Sequence, residues 1–142
     1  MQPHEIEFVR QARVARLATI GKDGVPSMVP ICFALVGDDA PAIVSVLDEK
    51  PKGVPDGELA RVRNIRRDPR VRLLIDRYDE DWSQLAFVQI AGVTRVVDPS
   101  GALHAEAIIA LRAKYPQYLQ MAIEGRPVIV IEHLRVRSWG LD

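Results

Sequence analysis

The chain has 142 residues, enough for one domain to bury a core without disulfide or metal staples. Hydrophobic residues make up 48% of it and charged residues 27%, a balance that excludes a mainly disordered polymer. The formal net charge is zero, so no whole-protein field draws it to nucleic acid or to an anionic membrane.

In chain order, Pro3 to Gln11 reads as a short helix with Ile6 and Val9 on one face. Arg13 to Ile20 is a strand, and Gly21-Lys22-Asp23-Gly24 is a hairpin turn whose residues tolerate positive φ. Val25 to Val36 is a second strand, and Pro26 and Pro30 place it at an edge or a bulge because proline donates no ladder hydrogen bond. Ala42 to Leu47 is the third. Asp48 to Gly57, with Pro51, Gly53, Pro55 and Gly57, is the longest irregular stretch, and long loops in compact domains are often functional. Glu58 to Arg67 is a helix that buries Leu59, Val62 and Ile65 and stops at Asp68-Pro69.

Arg70 to Tyr78 is the fourth strand. Asp79-Glu80-Asp81 turns the chain into the fifth, Leu85 to Val97, where Gly92 marks a bulge. A helix from Gly101 to Lys114 and a helical piece from Pro116 to Ile123 follow. Val128 to Trp139 is the sixth strand. Six strands joined mostly by tight turns predict a single antiparallel β-barrel domain over residues 1–142, mainly β with short helices. Phosphate-binding loops and the G-x-S-x-G nucleophile pattern are missing from the sequence.

The three histidines, His4, His104 and His133, lack ligand spacing, so no metal site is expected. Cys32 lies mid-strand between Ile31 and Phe33 and reads as a buried, inert thiol. A lone cysteine fits a reducing compartment. The polar first ten residues and the lack of a long apolar run fit a cytoplasmic protein that does not enter a membrane.

The strongest chemical feature is the stretch from Lys50 to Arg77, with nine basic side chains against four acidic ones. Lys50 and Lys52 stand on the irregular loop, and Arg61, Arg63 and Asn64 follow at a helix start. Mobile ammonium groups, forked guanidinium donors and free helix N–H groups together suit a phosphate. A solvated basic face is the plain alternative. Trp82, in the acidic turn, either covers a flat ring or a partner subunit, or caps the barrel end.

Three blocks then resemble a known family. The run Val14-Ala15-Arg16-Leu17-Ala18-Thr19, then Asp23-Gly24-Val25-Pro26 and Val29-Pro30-Ile31-Cys32-Phe33, is similar to the opening of pyridoxamine 5′-phosphate oxidase-like split β-barrels. The segments Arg61 to Arg72, "RVRNIRRDPRVR", and Val88 to Val97, "VQIAGVTRVV", resemble later blocks of the same family. Asp48 to Lys52 and Asp79 to Leu85 resemble a branch that uses coenzyme F-420, an 8-hydroxy-5-deazaflavin, while other members use FMN.

The resemblance implies a six-stranded antiparallel split β-barrel that forms a homodimer with two cofactor sites between the subunits. Pro30, Ile31, Cys32 and Phe33 would lie along the tricyclic ring, with Ser45 and Leu47 near the ribityl chain. Lys50, Lys52, Arg61 and Asn64 would hold the phosphate, and Trp82, Ser83 and Gln84 would come from the other subunit. The implied activity is hydride transfer from the reduced coenzyme to a small unsaturated or oxidised substrate, with no catalytic side chain identified. An FMN-dependent oxidoreductase and a non-catalytic cofactor carrier are the alternatives. A nucleic-acid module is disfavoured, because no aromatic residue is interleaved with the arginines.

Overall fold

A computed structural model of the chain describes residues 1–47 and 59–141. The irregular stretch Asp48 to Gly57, with Lys50 and Lys52, lies outside the described residues. The elements are α1 (Pro3–Gln11), β1 (Ala15–Ile20), β2 (Pro26–Ile31), β3 (Ala34–Val36), β4 (Ala42–Val46), α2 (Ala60–Arg67), β5 (Arg70–Arg77), β6 (Ala86–Val97), α3 (Gly101–Lys114) and β7 (Val128–Trp139). Short 3-10 turns at Trp82–Gln84 and Pro116–Gln120 complete the description. The second of these replaces the longer helical piece expected to reach Ile123.

The expectation of six strands needs correction. Val25 to Val36 is not one strand: it breaks at Cys32–Phe33 into β2 and β3. β2 pairs with β1 as far as Ile31 opposite Ala15, whereas β3 pairs with β4. The backbone groups at the break are taken by side chains instead of a ladder. The Ser45 hydroxyl donates to the Cys32 carbonyl at 2.8 Å, and the Phe33 amide donates to the Tyr115 hydroxyl oxygen at 3.0 Å. Such substitutes satisfy the peptide groups that a bend withdraws from the sheet.

The seven strands form an antiparallel sheet in the order β2-β1-β5-β6-β7-β4-β3. Among the described residues no ladder joins β2 to β3, so the sheet is open rather than the closed barrel expected. Pro26 and Pro30 sit on the edge strand β2, where a missing N–H costs no ladder bond. In β6 the register with β7 shifts between Ala91 and Val93, a bulge at Gly92. A Cβ there would stand 2.5 Å from Ile131 Cγ2, so only glycine lets β7 pass this close.

Two cores lie on opposite faces of the β4–β7 end. The first gathers Leu17, Phe33, Ile43, Leu47, Val62, Leu73, Ile90 and Ile131 inside the curved sheet under α1 and α2. The second gathers Val44, Val46, Val128 and Val130 with Ala107, Ile108 and Leu111 of α3. This sandwich explains why Val128 to Ile131 is buried without alternation, while the rest of β7 alternates. Each such side chain contributes about 1.5–3 kcal/mol by leaving water. Glu5 ties α1 to this body, accepting from the Ser138 hydroxyl at 2.7 Å and from the Gln2 amide at 2.8 Å.

Candidate functional site

The shelf formed by Pro30 to Phe33 is built from the strand break. Pro30 is exposed on β2, whereas Ile31 and Phe33 turn inward, 6% and 0% exposed, and belong to the first core. Their side chains are therefore unavailable to a ligand, and the surface of the shelf is made by exposed Pro30 and half-buried Cys32. Cys32 is half-buried and stands at the bend, which corrects its expected place as a fully buried thiol in mid-strand. The bend exists because Ser45 and Tyr115 hold the two peptide groups on either side of it.

Ser45 and Leu47 end β4 behind this shelf, both buried. The Leu47 carbonyl accepts from the Arg126 guanidinium at 3.1 Å, and its amide donates to the Pro127 carbonyl at 3.2 Å. The segment before β7 thus clamps the end of β4.

Arg61 and Asn64 lie one turn apart on α2, Arg61 half-buried and Asn64 buried. The Asn64 amide donates to the Thr19 hydroxyl of β1 at 3.0 Å. Asn64 therefore positions α2 on the sheet. Thr19 is four residues along β1 from Ala15, the partner of Ile31. The shelf and α2 are thus separated by about 13 Å of strand.

Trp82, Ser83 and Gln84 form an exposed 3-10 turn. The Asp81 carboxylate accepts from the Ser83 amide at 3.1 Å and from its hydroxyl at 2.7 Å, which holds the carboxyl below its usual range. Arg77 donates to the Gln84 carbonyl at 2.7 Å. Trp82 is 70% exposed, so it does not cap the barrel end of its own chain.

Three functional groups behind the shelf escaped sequence reasoning. The Tyr115 hydroxyl lies 2.8 Å from the Arg13 carbonyl and 3.0 Å from the Phe33 carbonyl. The Arg13 guanidinium stacks 4.8 Å from the Tyr115 ring centroid and donates to the Lys114 carbonyl at 2.9 Å. Lys114 Nζ sits 3.8 Å from the Phe33 ring centroid, buried and with no hydrogen-bond partner among the described residues. A lysine in the last turn of a helix is ordinarily a solvated partner of the helix dipole, so nothing in the local pattern marks this one.

Burial, and then the Arg13 charge, push the Lys114 ammonium down to about 8 from 10.5. Between those two values the unfolded chain holds a proton that the folded chain has released, so stability rises with pH across the window. Lys114→Met should remove that rise and raise Tm at pH 7. The gain is on the order of 1–2 kcal/mol once solvent screening of the half-buried group is allowed for. Thermal melts of both proteins from pH 7 to 10.5 check it. Parallel curves would mean that the amine is solvated in both states.

A profile described as pyridoxamine 5′-phosphate oxidase matches residues 1–140. The chain belongs to the pyridoxamine 5′-phosphate oxidase family. Solved structures share the fold of this family member at low identity. A conserved hypothetical protein of Mycobacterium tuberculosis aligns with a TM-score of 0.74 at 24% identity, over 98% of this chain and 84% of that one. An F420 reductase aligns with a TM-score of 0.65 at 20% identity, over 92% and 94%. HutZ, a heme storage protein of Vibrio cholerae, aligns with a TM-score of 0.69 at 13% identity, over 96% and 92%. The same fold thus occurs in an F420 reductase and in a heme storage protein. No helix among the described residues of this member is long and apolar enough to cross a membrane.

Proposed function

We propose that the protein is an oxidoreductase that binds a phosphorylated flavin-type cofactor, coenzyme F-420, between two protomers. FMN is the alternative cofactor. The observation that carries this reading is the shelf at Pro30 to Phe33. Its peptide groups are locked from behind by Ser45 and Tyr115, and such rigidity suits the edge of a flat ring. A ribityl chain is long enough to run from the shelf towards Arg61 on α2, where a guanidinium suits a phosphate. The family membership and the fold shared with an F420 reductase support the same reading.

The residues present fit such a group through backbone and charge. The shelf orients the ring, Arg61 with Lys50 and Lys52 holds the phosphate, and Asn64 fixes α2 against β1. The exposed turn Trp82–Gln84 would cover the ring in the second protomer, since its indole is left in solvent on its own chain. The bound coenzyme supplies hydride at C5 of the deazaflavin.

Titration of the purified protein with F-420 and FMN, followed by fluorescence and absorbance, is the test. Binding of F-420 at about micromolar Kd is expected, weakened about tenfold in Arg61→Ala. Binding of neither cofactor removes the proposal.

A carrier without turnover is the second reading. It is favoured by one fact: the proton-bearing atoms behind the shelf are buried, Lys114 Nζ without a hydrogen-bond partner among the described residues and the Tyr115 hydroxyl held by the Arg13 and Phe33 carbonyls. Oxidation of the reduced coenzyme by a panel of enones and quinones separates the two. Hemin belongs in the same titration, given the fold shared with HutZ. A Soret shift without F-420 binding favours the carrier.

A further inference from the structure

We propose that the outward face of the sheet carries a second ligand site, in which Arg72 and Arg135 grip a small dianion across Ala91. The strand registers place Met28, Ala18, Arg72, Ala91 and Arg135 side by side in one row across β2, β1, β5, β6 and β7. Their sequence neighbours Leu17, Leu73 and Ile90 are in the first core, so this row faces the other way. Two strand spacings separate the Cα atoms of Arg72 and Arg135 by about 10 Å. Only the methyl group of Ala91 stands between them. Arginine stems are long and flexible, so both forks can close on one oxyanion held above that methyl group.

The charges around this gap single out the pair. Arg16 is bound to Asp76 at 2.6 Å, Arg70 to Asp68 at 2.7 Å and Arg95 to Glu132 at 2.8 Å. Neither Arg72 nor Arg135 has a carboxylate partner among the described residues, although both line one groove of about 540 Å³. Arg70, held by Asp68, and His133 also border the groove, and Ala18, Ile20, Pro26 and Val93 make the rest of its wall largely apolar. Two like charges on a shared groove repel unless an anion lies between them. The apolar wall then selects an anion attached to an apolar body, either a phosphate monoester or a dicarboxylate.

This site is distinct from the proposed cofactor contacts. Thr19, which bonds Asn64 of α2, borders the groove beside Ala18, but none of Pro30 to Phe33, Arg61, Asn64 or Trp82 to Gln84 lines it. The inference goes beyond the cofactor reading and stands without it.

Calorimetric titration of the intact protein at low salt, with inorganic phosphate, phenyl phosphate and phthalate as probes, tests it. Phenyl phosphate or phthalate should bind more tightly than inorganic phosphate, and the tighter of the two names the anion. Arg72→Ala and Arg135→Ala should each weaken that binding about tenfold, whereas Arg95→Ala and Arg61→Ala should leave it unchanged. Ala91→Glu puts a carboxylate between the two forks, so it should abolish binding and raise Tm. Arg72, Arg95 and Arg135 are exposed and Arg61 is half-buried, and thermal melts show that each variant is folded before it is titrated. Equal affinity in the wild type and in either Arg72→Ala or Arg135→Ala overturns the proposal. So does a change of oligomeric state in those variants with ligand binding intact, since the pair would then serve a subunit contact.

Discussion

Phe33→Ala should unfold the protein roughly 10–20 °C below the wild type, a loss of about 3–5 kcal/mol. The ring is fully buried in the core that also contains Ile31, Leu47, Val62 and Ile65. Removing it loses the transfer energy of the aromatic side chain and leaves a cavity that rigid strands cannot collapse. It also strips Lys114 of its nearer ring, the face at 3.8 Å, and leaves the buried ammonium with only the Tyr115 ring at 5.4 Å to offset its desolvation. Phe33→Leu fills much of the space and should cost below about 2 kcal/mol. The variant also tests the site: the resemblance places Phe33 along a tricyclic ring, whereas its side chain belongs to the interior. If Phe33→Ala melted like the wild type but no longer bound cofactor, the ring would face the ligand and the core assignment would fail.

The fold was largely legible because its punctuation is local. Pro3 opens α1, Asp98-Pro99-Ser100 precedes α3 and Gly125-Arg126-Pro127 precedes β7, and the bounds of all three elements follow from those residues. The bulge at Gly92 was legible for the same reason. The break at Cys32–Phe33 was not. The run from Val29 to Val36 reads as uninterrupted strand, and the groups that interrupt it come from Ser45, 13 residues on, and Tyr115, 82 residues on. No window of local sequence contains that information. The open order of the sheet depends on the same break, since β3 leaves β2 to pair with β4. Alternation in Arg70 to Arg77 does predict that Arg72 faces outward. Its neighbours across the sheet depend on two registers, one of them shifted by the bulge. In the candidate site, Arg61 and Asn64 were legible as residues near a helix start, but the bond that fixes Asn64, to Thr19 on β1, spans 45 residues.

Tyr115→Phe should cost about 2–4 kcal/mol although it removes a single oxygen. That oxygen accepts from the Phe33 amide at 3.0 Å and lies within hydrogen-bond reach of two carbonyls, Arg13 at 2.8 Å and Phe33 at 3.0 Å. The hydroxyl has one proton, so the shorter contact to Arg13 takes most of it. Burial pushes the Tyr115 hydroxyl up from its ordinary value, so it stays protonated and the donor is preserved at neutral pH. Without the oxygen, the Phe33 N–H is left buried and unpaired. An unpaired buried donor costs about 1–3 kcal/mol, more than the net value of the bond itself. The bend between β2 and β3 would then lose one of its two fasteners, while Ser45 keeps the other. Amide exchange at Phe33 should rise sharply in the variant, while the amides paired between β5 and β6 stay protected. Tm should fall by roughly 10 °C, and cofactor affinity should fall with it if the locked shelf is what the ring rests on. A variant with wild-type Tm and unchanged Phe33 exchange would show that water replaces the hydroxyl, and the account of the strand break would fall with it.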